Sequence, residues 1–508
     1  MKTQGMSQQL EALRRSNGRT AFAYLMEQGT GKTWTILADA ERNYAAGKID
    51  ALLVVAPKGV HTNWVLREIP THLEVPHIAR AWSSGMGKRA RAKVEEILAQ
   101  RAVGEVPPLR ILTMNYGALL TKDGFAFAMQ FLRSTKSMIA LDESDAIKNP
   151  TALTTKRCML LKHESYARRI ADGTPITQAP TDIFSPMQFL EGGLLGTTSY
   201  RAFVAEYADV LPLKDRRVAA IIERNPRLKA LAEQFKDDPD KLAKVMPQMI
   251  RRDENDEPVY RNLDKLKALL DKHSFRVLKK ECLDLPDKIY TQIFFELSAK
   301  QRAAYELLEQ DLRIKLDTGE IEVTTALAAL VKLQQITSGY VNVNAEPIYV
   351  SEDNPRIEAV LTAAKTCRGK FIVWARFREE IAMIVRALRG EGLDVVEYHG
   401  GVGDKDRELA VDSFQTGSAQ AFVANQAAGG VGLTLTAASD VIYCSNGWRL
   451  RDRLQSEDRC HRIGTKWPVR YIDIVAPGTV DESISRSMQR KTSVAKAILD
   501  DRNLAFQF

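Results

Sequence analysis

The sequence predicts an α/β fold with two parallel sheets. Short apolar runs typical of buried strands alternate with amphipathic stretches of helical period, once before residue 185 and again after residue 350. Such alternation is typical of a parallel sheet that is covered by helices on both faces. A chain of 508 residues is also too long for a single hydrophobic core, so we expect more than one domain.

Composition narrows the class of protein. Hydrophobic residues make up 45% and charged residues 27%, which is ordinary for a globular chain. Lys+Arg (72) exceed Asp+Glu (64) by 8, a modest excess that suits a polyanionic partner without proving one. No apolar run approaches the roughly 18 residues of a membrane span, and the polar N-terminal segment has no secretory signal. The 5 cysteines lack metal-site spacing, so we expect a reducing, cytoplasmic setting and no membrane partner.

The first half of the chain carries one set of predicted strands and a helical stretch at 88–101. The strands are 21–26, 51–57, 110–115, 137–144 and 167–175. In parallel sheets, ligands bind beyond the carboxyl ends of the strands. Because Lys32, Asp142 and Thr174 each follow a predicted strand, we expect them to meet at one edge of the sheet.

The rest of the chain changes character twice. From about 184 to 345 the pattern predicts helices at 214–236, 259–272 and 299–316, with a polar, exposed insert at 237–258 and a break at 283–288. The second set of predicted strands is 371–375, 393–398, 420–425, 440–444 and 469–475.

The strongest functional signal lies at residues 20–33. A buried strand runs into Gly29-Thr30-Gly31-Lys32-Thr33, which opens a helix. Glycines let backbone N–H groups turn around a phosphate, and the helix adds its positive dipole end. Lys32 suits the β- and γ-phosphates and the Thr33 hydroxyl suits Mg²⁺, so the pattern predicts ATP and Mg²⁺ as cofactors. Met26 replaces the usual first glycine, and an ordinary turn before a helix is the alternative.

An acidic pair, Asp142-Glu143, ends another apolar run. A carboxylate at this place holds Mg²⁺, and the neighbouring glutamate orients and deprotonates the attacking water. Two solvated loop acids are the alternative, but Lys32 on a neighbouring strand–helix unit favours ATP hydrolysis.

Two arginines late in the chain fit the same chemistry. Gln455, Arg459 and Arg462 are spaced i, i+4, i+7, which predicts one helix face. Arginines there would neutralise transition-state charge on a triphosphate. A solvated Arg–Glu helix surface is the alternative, and the adjacent glycine-rich loop 429–436 argues against it. Thr174, in a Gly-Thr-Pro turn, would link the nucleotide to a polymer track, unless the turn is a plain one.

Taken in order, these motifs resemble superfamily-two helicases and, more narrowly, Swi/Snf-type ATPases. The matching segments are MEQGTGKT, VVAPKGVHTNW, LDESDAIKN, DGTPI, YHG, ANQAAGGVGLTLTAASDVI and W…Q…DRCHRIG. The narrower resemblance rests on the spacing of Trp448 and Gln455, on Lys148-Asn149 after the acidic pair, and on 275–288, which resembles the family's inter-lobe segment. It extends from about residue 8 to residue 490.

The resemblance implies two RecA-like parallel α/β lobes with helical insertions between motifs three and four. It implies an adenine-reading Gln9 and further nucleotide-binding residues, which are Gly29, Thr30, Gly31, Lys32, Thr33, Gly432 and Gln455. The implied catalytic residues are Lys32, Asp142, Glu143, Arg459 and Arg462, with Thr33 and Asp142 as Mg²⁺ ligands. The implied nucleic-acid contacts are Lys58, Trp64, Thr174, His399, Thr434 and Trp448.

The same resemblance divides the chain. The predicted parts are 1–185 (RecA-like ATP-binding lobe), 186–274 (its helical protrusion), 275–290 (inter-lobe linker), 291–350 (helical protrusion of the second lobe) and 351–508 (RecA-like second lobe). Asp145 stands where the family usually has histidine, and Thr465 replaces the usual glutamine. These departures suggest a minimal bacterial or viral motor, which would act in the host cytoplasm if viral.

We therefore expect a nucleic-acid-stimulated ATP hydrolase that couples hydrolysis to translocation on double-stranded DNA and remodels DNA or protein–DNA complexes. One alternative is a strand-separating DNA or RNA helicase, with single-stranded DNA or RNA as its polymer. An alternative of another class is a non-catalytic, nucleotide-gated DNA-binding scaffold. The sequence predicts no particular protein partner.

Overall fold

A computed structural model describes residues 1–99, 107–254, 257–318, 323–426, 433–462, 464–465 and 467–499. These residues form two compact units. Lobe one comprises Met1–Phe203 and Asn262–Leu285, together with the described residues from 494 onward; lobe two comprises Val204–Arg261 and Pro286–Ser493. Each lobe is built on its own parallel sheet, so the predicted fold class of two parallel α/β lobes is confirmed.

The sheet of lobe one has seven strands, all parallel. They are β1 Ala21–Met26, β2 Ala51–Ala56, β3 His77–Trp82, β4 Leu109–Asn115, β5 Ser137–Asp142, β6 Ala167–Ala171 and β7 Ser274–Val277. Their order is β3-β4-β2-β5-β6-β1-β7. The five inner strands are the five that the sequence predicts. The two edge strands, β3 and β7, are not predicted, because each has only one neighbouring strand and lacks a long apolar run.

Helices connect the strands of lobe one. Their bounds are Ser7–Ser16, Lys32–Ala45, Val60–Asn63, Ile69–His72, Lys88–Ala99, Lys122–Arg133, Leu153–Lys162, Phe184–Leu190, Leu263–His273 and Lys279–Cys282, and Tyr200–Tyr207 crosses into lobe two. Single turns of other helix types are Trp64–Glu68, Ala118–Leu120, Ser144–Ile147 and Pro180–Ile183. Thr121 illustrates the local signals, because its hydroxyl accepts from the Gly124 N–H and caps the helix Lys122–Arg133.

The sheet of lobe two has six parallel strands in the order β12-β13-β11-β14-β15-β8. These are β8 Lys288–Phe294, β11 Phe371–Ala375, β12 Val395–Tyr398, β13 Ala421–Asn425, β14 Asp440–Tyr443 and β15 Val469–Val475. Strands β9 Tyr340–Val343 and β10 Glu346–Tyr349 form a separate antiparallel hairpin. The sequence predicts every strand of the large sheet except β8, which is half exposed at its edge.

The helices of lobe two include the central insert. Their bounds are Arg216–Arg224, Pro226–Gln234, Pro239–Val245, Ala299–Thr318, Val323–Thr337, Pro355–Lys365, Arg378–Gly390, Asp404–Gln415, Leu450–Glu457 and Val480–Leu499. The single helix predicted at 214–236 is wrong, because the chain breaks at Asn225. The Asn225 side chain accepts from two backbone N–H groups, and Pro226 starts a new helix.

The insert 204–261 groups with lobe two, whereas the sequence predicts a protrusion of lobe one for this region. An ion pair of 3.5 Å between Arg490 Nε and Glu257 Oε1 joins the insert to the last helix of lobe two. The predicted domain boundaries stay predictions. No helix among the described residues is both long enough and apolar enough to cross a membrane.

Candidate nucleotide site

The phosphate loop follows β1 and opens the helix Lys32–Ala45. Gly29 and Gly31 adopt φ of 84° and 95°, a region that glycine enters without strain. Lys32 Nζ donates to the Met26 carbonyl at 3.0 Å, so the lysine folds back over its own loop. A Cβ on Gly173, after β6, would lie 3.2 Å from Lys32 Nζ, so the absence of a side chain there leaves room for the ammonium group.

Gln9 packs directly on this loop. Its side chain is 3% exposed, its Nε2 donates to the Gly31 carbonyl at 3.3 Å, and its Oε1 accepts from the Met6 N–H at 2.7 Å. A Cβ on Gly31 would stand 1.8 Å from Gln9 Nε2. Thr30 is fully buried and its hydroxyl donates to the Glu27 carbonyl at 2.7 Å, while Thr33 is half-buried in the first helical turn. The nucleotide roles predicted for these residues stay predictions.

Asp142 ends β5 beside the loop. Burial raises the pKa of Asp142 to about 7, and the charge of Glu143 adds to this rise, while Lys32 and a hydrogen bond from Trp64 oppose it. That bond joins Trp64 Nε1 to Asp142 Oδ2 at 3.2 Å. The carboxyl group is therefore held away from water but lacks enough positive charge around it, which is the environment that a bound cation would complete.

Glu143 and two further acids lie together. Glu143 has φ of 54°, which is rare for a residue with a side chain, and its Oε1 accepts from Gln28 Nε2 at 3.4 Å. Oxygens of Glu143, Asp145 and Asp172 lie within 4.8 Å of one another. Asp172, at the end of β6, accepts from the backbone N–H groups of Asp145 at 2.8 Å and Thr174 at 2.9 Å. Asp172 thereby holds the acidic turn and the Thr174 turn in place.

The arginines of lobe two meet at one carbonyl rather than on one helix face, so the predicted helical arrangement is wrong. The helix ends at Glu457, and Arg459 and Arg462 lie in the turns that follow. Arg462 Nη1 donates to the Leu433 carbonyl at 3.1 Å and to Thr434 Oγ1 at 3.1 Å, and Arg459 Nη1 lies 3.5 Å from the same carbonyl. Gln455 remains on the helix, where its amide oxygen accepts from Arg451 Nε at 2.9 Å.

Residues 458–462, which carry Arg459 and Arg462, are called the arginine loop below. A buried charged network supports this loop. Arg453 Nε donates to Glu457 Oε1 at 2.8 Å, and both Nη atoms of Arg453 donate to Asp473. The Arg453 guanidinium also lies 3.4 Å from the ring centroid of Tyr443. Burial alone would raise the pKa of Glu457, but Lys288 and Arg453 outweigh burial, so the pKa of Glu457 lies below its ordinary value. The network fixes the end of the helix from which Arg459 and Arg462 extend.

The predicted nucleic-acid residues have unequal access to solvent. Trp64 is 1% exposed and bonded to Asp142, so the structure does not support its predicted contact with a polymer. Lys58 and Thr434 are exposed, whereas Thr174, His399 and Trp448 are half-buried. Gly432 lies outside the described residues. The roles of these residues, Trp64 aside, stay predictions.

Two supporting residues were not predicted. Asp172 lies inside the predicted strand 167–175, and the observed strand β6 ends one residue before it, at Ala171. The prediction singled out Thr174 of the Gly-Thr-Pro turn instead. Tyr116 donates from its hydroxyl to the Asp142 carbonyl at 2.8 Å. No sequence pattern indicates this contact, because Tyr116 follows β4, two strands away from β5 in the sheet.

Comparison with known families matches most of the chain. Residues 25–339 match the model of the SNF2-related domain, and residues 355–464 match the helicase conserved C-terminal domain. Similar curated proteins include a Putative ATP-dependent helicase/translocase YwqA of Bacillus subtilis, 25% identical over 94% of this chain and 46% of that protein. The DNA repair and recombination protein RDH54 of Saccharomyces cerevisiae is 23% identical over 90% of this chain and 47% of that protein. The chain thus spans less than half the length of these relatives.

A solved structure of the Sulfolobus solfataricus SWI2/SNF2 ATPase core in complex with dsDNA covers 99% of this chain and 94% of its own, with 21% identity and a TM-score of 0.38. That score is too low to support conclusions about this chain. The family model is different, because it matches more than half of the sequence and includes the phosphate loop and the acidic pair. The chain belongs to the SNF2-related domain family.

Proposed function

We propose that this chain is a nucleic-acid-stimulated ATPase that couples ATP hydrolysis to translocation on double-stranded DNA, and that it thereby remodels DNA or protein–DNA complexes. The observation that carries the proposal is that lobe one contains a phosphate loop and an acidic turn, and that lobe two contains an arginine loop. Each lobe holds half of the groups that phosphoryl transfer to water needs.

Lobe one would bind the phosphates of ATP and orient the attacking water. Lys32 and the N–H groups of the phosphate loop would hold the β- and γ-phosphates. Glu143 would accept a proton from the attacking water.

The residues at this edge fit Mg²⁺ together with ATP. Asp142 is a buried acid whose pKa of about 7 falls when a cation is adjacent, and Thr33 is available in the first helical turn. Bound Mg²⁺ would supply neutralisation of charge on the phosphates. Asp142 and Thr33 are the residues that would hold it.

Lobe two would complete the transition state. Arg459 and Arg462 converge at the Leu433 carbonyl, so both guanidinium groups are presented from one loop. On lobe closure they would neutralise charge on the transferring phosphoryl group, an effect typically worth about 10³-fold in rate or more.

Double-stranded DNA is the proposed polymer partner. The chain carries an excess of 8 positive charges, and one relative is named as a DNA repair and recombination protein. Contacts with the sugar–phosphate backbone would give little sequence preference and a strong dependence on salt. A cytoplasmic setting stays a prediction from the sequence.

The test is ATP turnover measured in parallel without polymer and with single-stranded DNA, duplex DNA and RNA. We expect the largest stimulation with duplex DNA, and equal rates in all four reactions would contradict the proposal. Glu143→Gln is the matched variant, expected to bind ATP normally and to lose turnover. A wild-type protein without measurable turnover, whose behaviour Glu143→Gln leaves unchanged, would instead support a non-catalytic scaffold.

A strand-separating helicase is the alternative within the same class. A forked duplex with a labelled displaced strand separates the two, because a translocase hydrolyses ATP on the fork without releasing the strand. A triplex-displacement assay on intact duplex then reports translocation directly.

A further inference from the structure

We propose that residues 279–288 couple the phosphate loop to the arginine loop, with Lys279 and His461 as positioning residues at the two ends. The inference rests on ATP hydrolysis at the proposed site and does not depend on translocation. The boundary between the lobes falls inside this segment, between Leu285 and Pro286. Each end is anchored within its own lobe to a loop that carries catalytic side chains.

The lobe-one end is anchored to the phosphate loop. Strand β7 pairs with β1 as far as Val277 and Met26, and the Glu27 N–H then donates to the Val277 carbonyl at 3.0 Å. The Lys279 N–H donates to Glu27 Oε2 at 2.7 Å. The Lys279 side chain is 3% exposed, and its Cε lies 3.7 Å from where a Cβ on Gly29 would stand. Lys279 is therefore buried beside the phosphate loop and bonded to it through Glu27.

The lobe-two end is anchored to the arginine loop. His461, between Arg459 and Arg462 in sequence, donates from Nε2 to the Pro286 carbonyl at 2.7 Å. Since a carbonyl only accepts, this bond places the proton on Nε2. Lys288 Nζ donates to Glu457 Oε2 at 3.0 Å, at the last residue of the preceding helix. Pro286 and Lys288 are thus bonded to residues on both sides of Arg459.

The connection between the two anchors is short and stiff. The helical turn Lys279–Cys282 takes up the first part, and the Leu283 N–H closes it on the Lys279 carbonyl at 2.6 Å. Pro286 has a fixed φ. Only the irregular residues 283–285 are left between these two constrained parts, so a displacement at one anchor larger than they absorb would be passed on to the other.

The coupling has a specific consequence for mutants. Residues far apart without shared partners have independent effects, whereas residues joined through one stiff element do not. If the segment only linked the lobes without coupling the loops, the fold-changes in kcat caused by substitutions at Lys279 and at His461 would multiply. If it couples the loops, breaking either end already releases the segment, and breaking the second adds little.

The first experiment compares His461→Phe with His461→Gln. Phenylalanine keeps the ring but loses the donor, whereas glutamine keeps an N–H that reaches the Pro286 carbonyl. We expect His461→Phe to lower the kcat of polymer-free ATP turnover about tenfold, since small misplacements of catalytic groups are costly, with ATP affinity unchanged. His461→Gln should recover most of the loss. Equal defects in both variants, or a defect in affinity alone, would overturn the role of His461.

The second experiment is a double-mutant cycle on kcat with Lys279→Met and His461→Phe. We expect the double variant to be no more than about twofold slower than the slower single variant. Fold-changes that multiply would overturn the coupling, and thermal melts of all variants check that they fold. Pro286→Gly keeps the acceptor carbonyl but loosens the chain, and should lower kcat as His461→Phe does, whereas Pro212→Gly in an exposed turn should not.

These measurements separate the two proposals. They use polymer-free turnover, so a wild-type protein that hydrolyses ATP without responding to DNA would refute the proposed translocation and leave the coupling testable. Normal DNA stimulation, together with fold-changes in kcat that multiply in the double variant, would support the proposed translocation and refute the coupling.

Discussion

Lobe one and lobe two treat buried charge at their site edges in opposite ways. In lobe one, Asp142 is buried beside Glu143 with Lys32 as its main positive neighbour, and its pKa is raised to about 7. In lobe two, Arg453 is buried between Glu457 and Asp473, and the pKa of Glu457 is lowered. The buried acids Glu457 and Asp473 are therefore paired within lobe two, whereas Asp142 in lobe one lies beside further negative charge that a cation would balance.

The largest expected effect comes from removing Arg453 from the buried network of lobe two. Arg453→Met leaves Asp473 buried without its arginine and leaves Glu457 with Lys288 alone, which costs about 3–5 kcal/mol in the free energy of unfolding. A urea titration followed by circular dichroism measures it. Arg302→Met, which removes an exposed pair with Glu296, is the control and should stay within about 0.5 kcal/mol of wild type. Equal small effects would show that the network contributes little to stability.

The second prediction concerns Arg462, which lies on the loop that the Arg453 network supports. Arg462→Ala removes a guanidinium from the arginine loop, and we expect kcat for ATP to fall about 10³-fold with little change in ATP affinity. Arg462→Lys should rescue poorly, because an ammonium lacks the planar fork of donors. Steady-state turnover and binding of a fluorescent ATP analogue measure both quantities. Unchanged kcat with weakened binding would place Arg462 outside the transition state.

A third prediction uses one glycine from each lobe with similar φ. Gly31 and Gly464 have φ of 95° and 101°, but only Gly31 has a neighbour that a Cβ would meet, at 1.8 Å from Gln9 Nε2. Alanine at either position should cost about 1–2 kcal/mol of stability through strain. Gly31→Ala should in addition displace Gln9 and weaken ATP binding more than tenfold, as measured by calorimetry. Equal ATP affinity in both variants would show that Gln9 does not read the nucleotide.

The smallest expected effect concerns Asp142 in lobe one and the dependence of stability on pH. Because the folded-state pKa of Asp142 lies above the unfolded value near 3.8, ionisation favours the unfolded chain, and stability is lost as pH rises between about 4 and about 7. Asp142→Asn should therefore raise the free energy of unfolding at pH 8, without Mg²⁺, by about 1 kcal/mol or more.

The gain from Asp142→Asn should shrink as pH falls toward 4. Adding Mg²⁺ and ATP should stabilise wild type more than the variant, which a thermal melt at pH 8 detects. A destabilised Asp142→Asn protein at pH 8 would contradict the raised pKa and with it the contrast between the lobes.

Much of the fold was predictable because inner strands of a parallel sheet are apolar along their whole length. The strands β1, β2, β4 and β5 of lobe one follow mainly apolar runs, whereas in β6 the apolar residues Ile170 and Ala171 follow two arginines. Strands β3 and β8 were missed because each is partly exposed, and β7 was missed because its 4 residues mix Ser274 and Arg276 with two apolar residues. The helix predicted through Arg462 failed for a different reason. Spacing alone does not show that Glu457 ends the helix.

By itself, the sequence determined which segments are buried strands, which loop can hold a phosphate, and which acids end a strand. Those features depend on residues close together in the chain, where local sterics and hydrophobic pattern decide. Only the tertiary structure decided that Trp64 bonds to Asp142, that Arg459 and Arg462 meet at Leu433, and that His461 holds Pro286. Each of these contacts joins residues distant in sequence, and strand order and packing, which local pattern does not encode, bring them together.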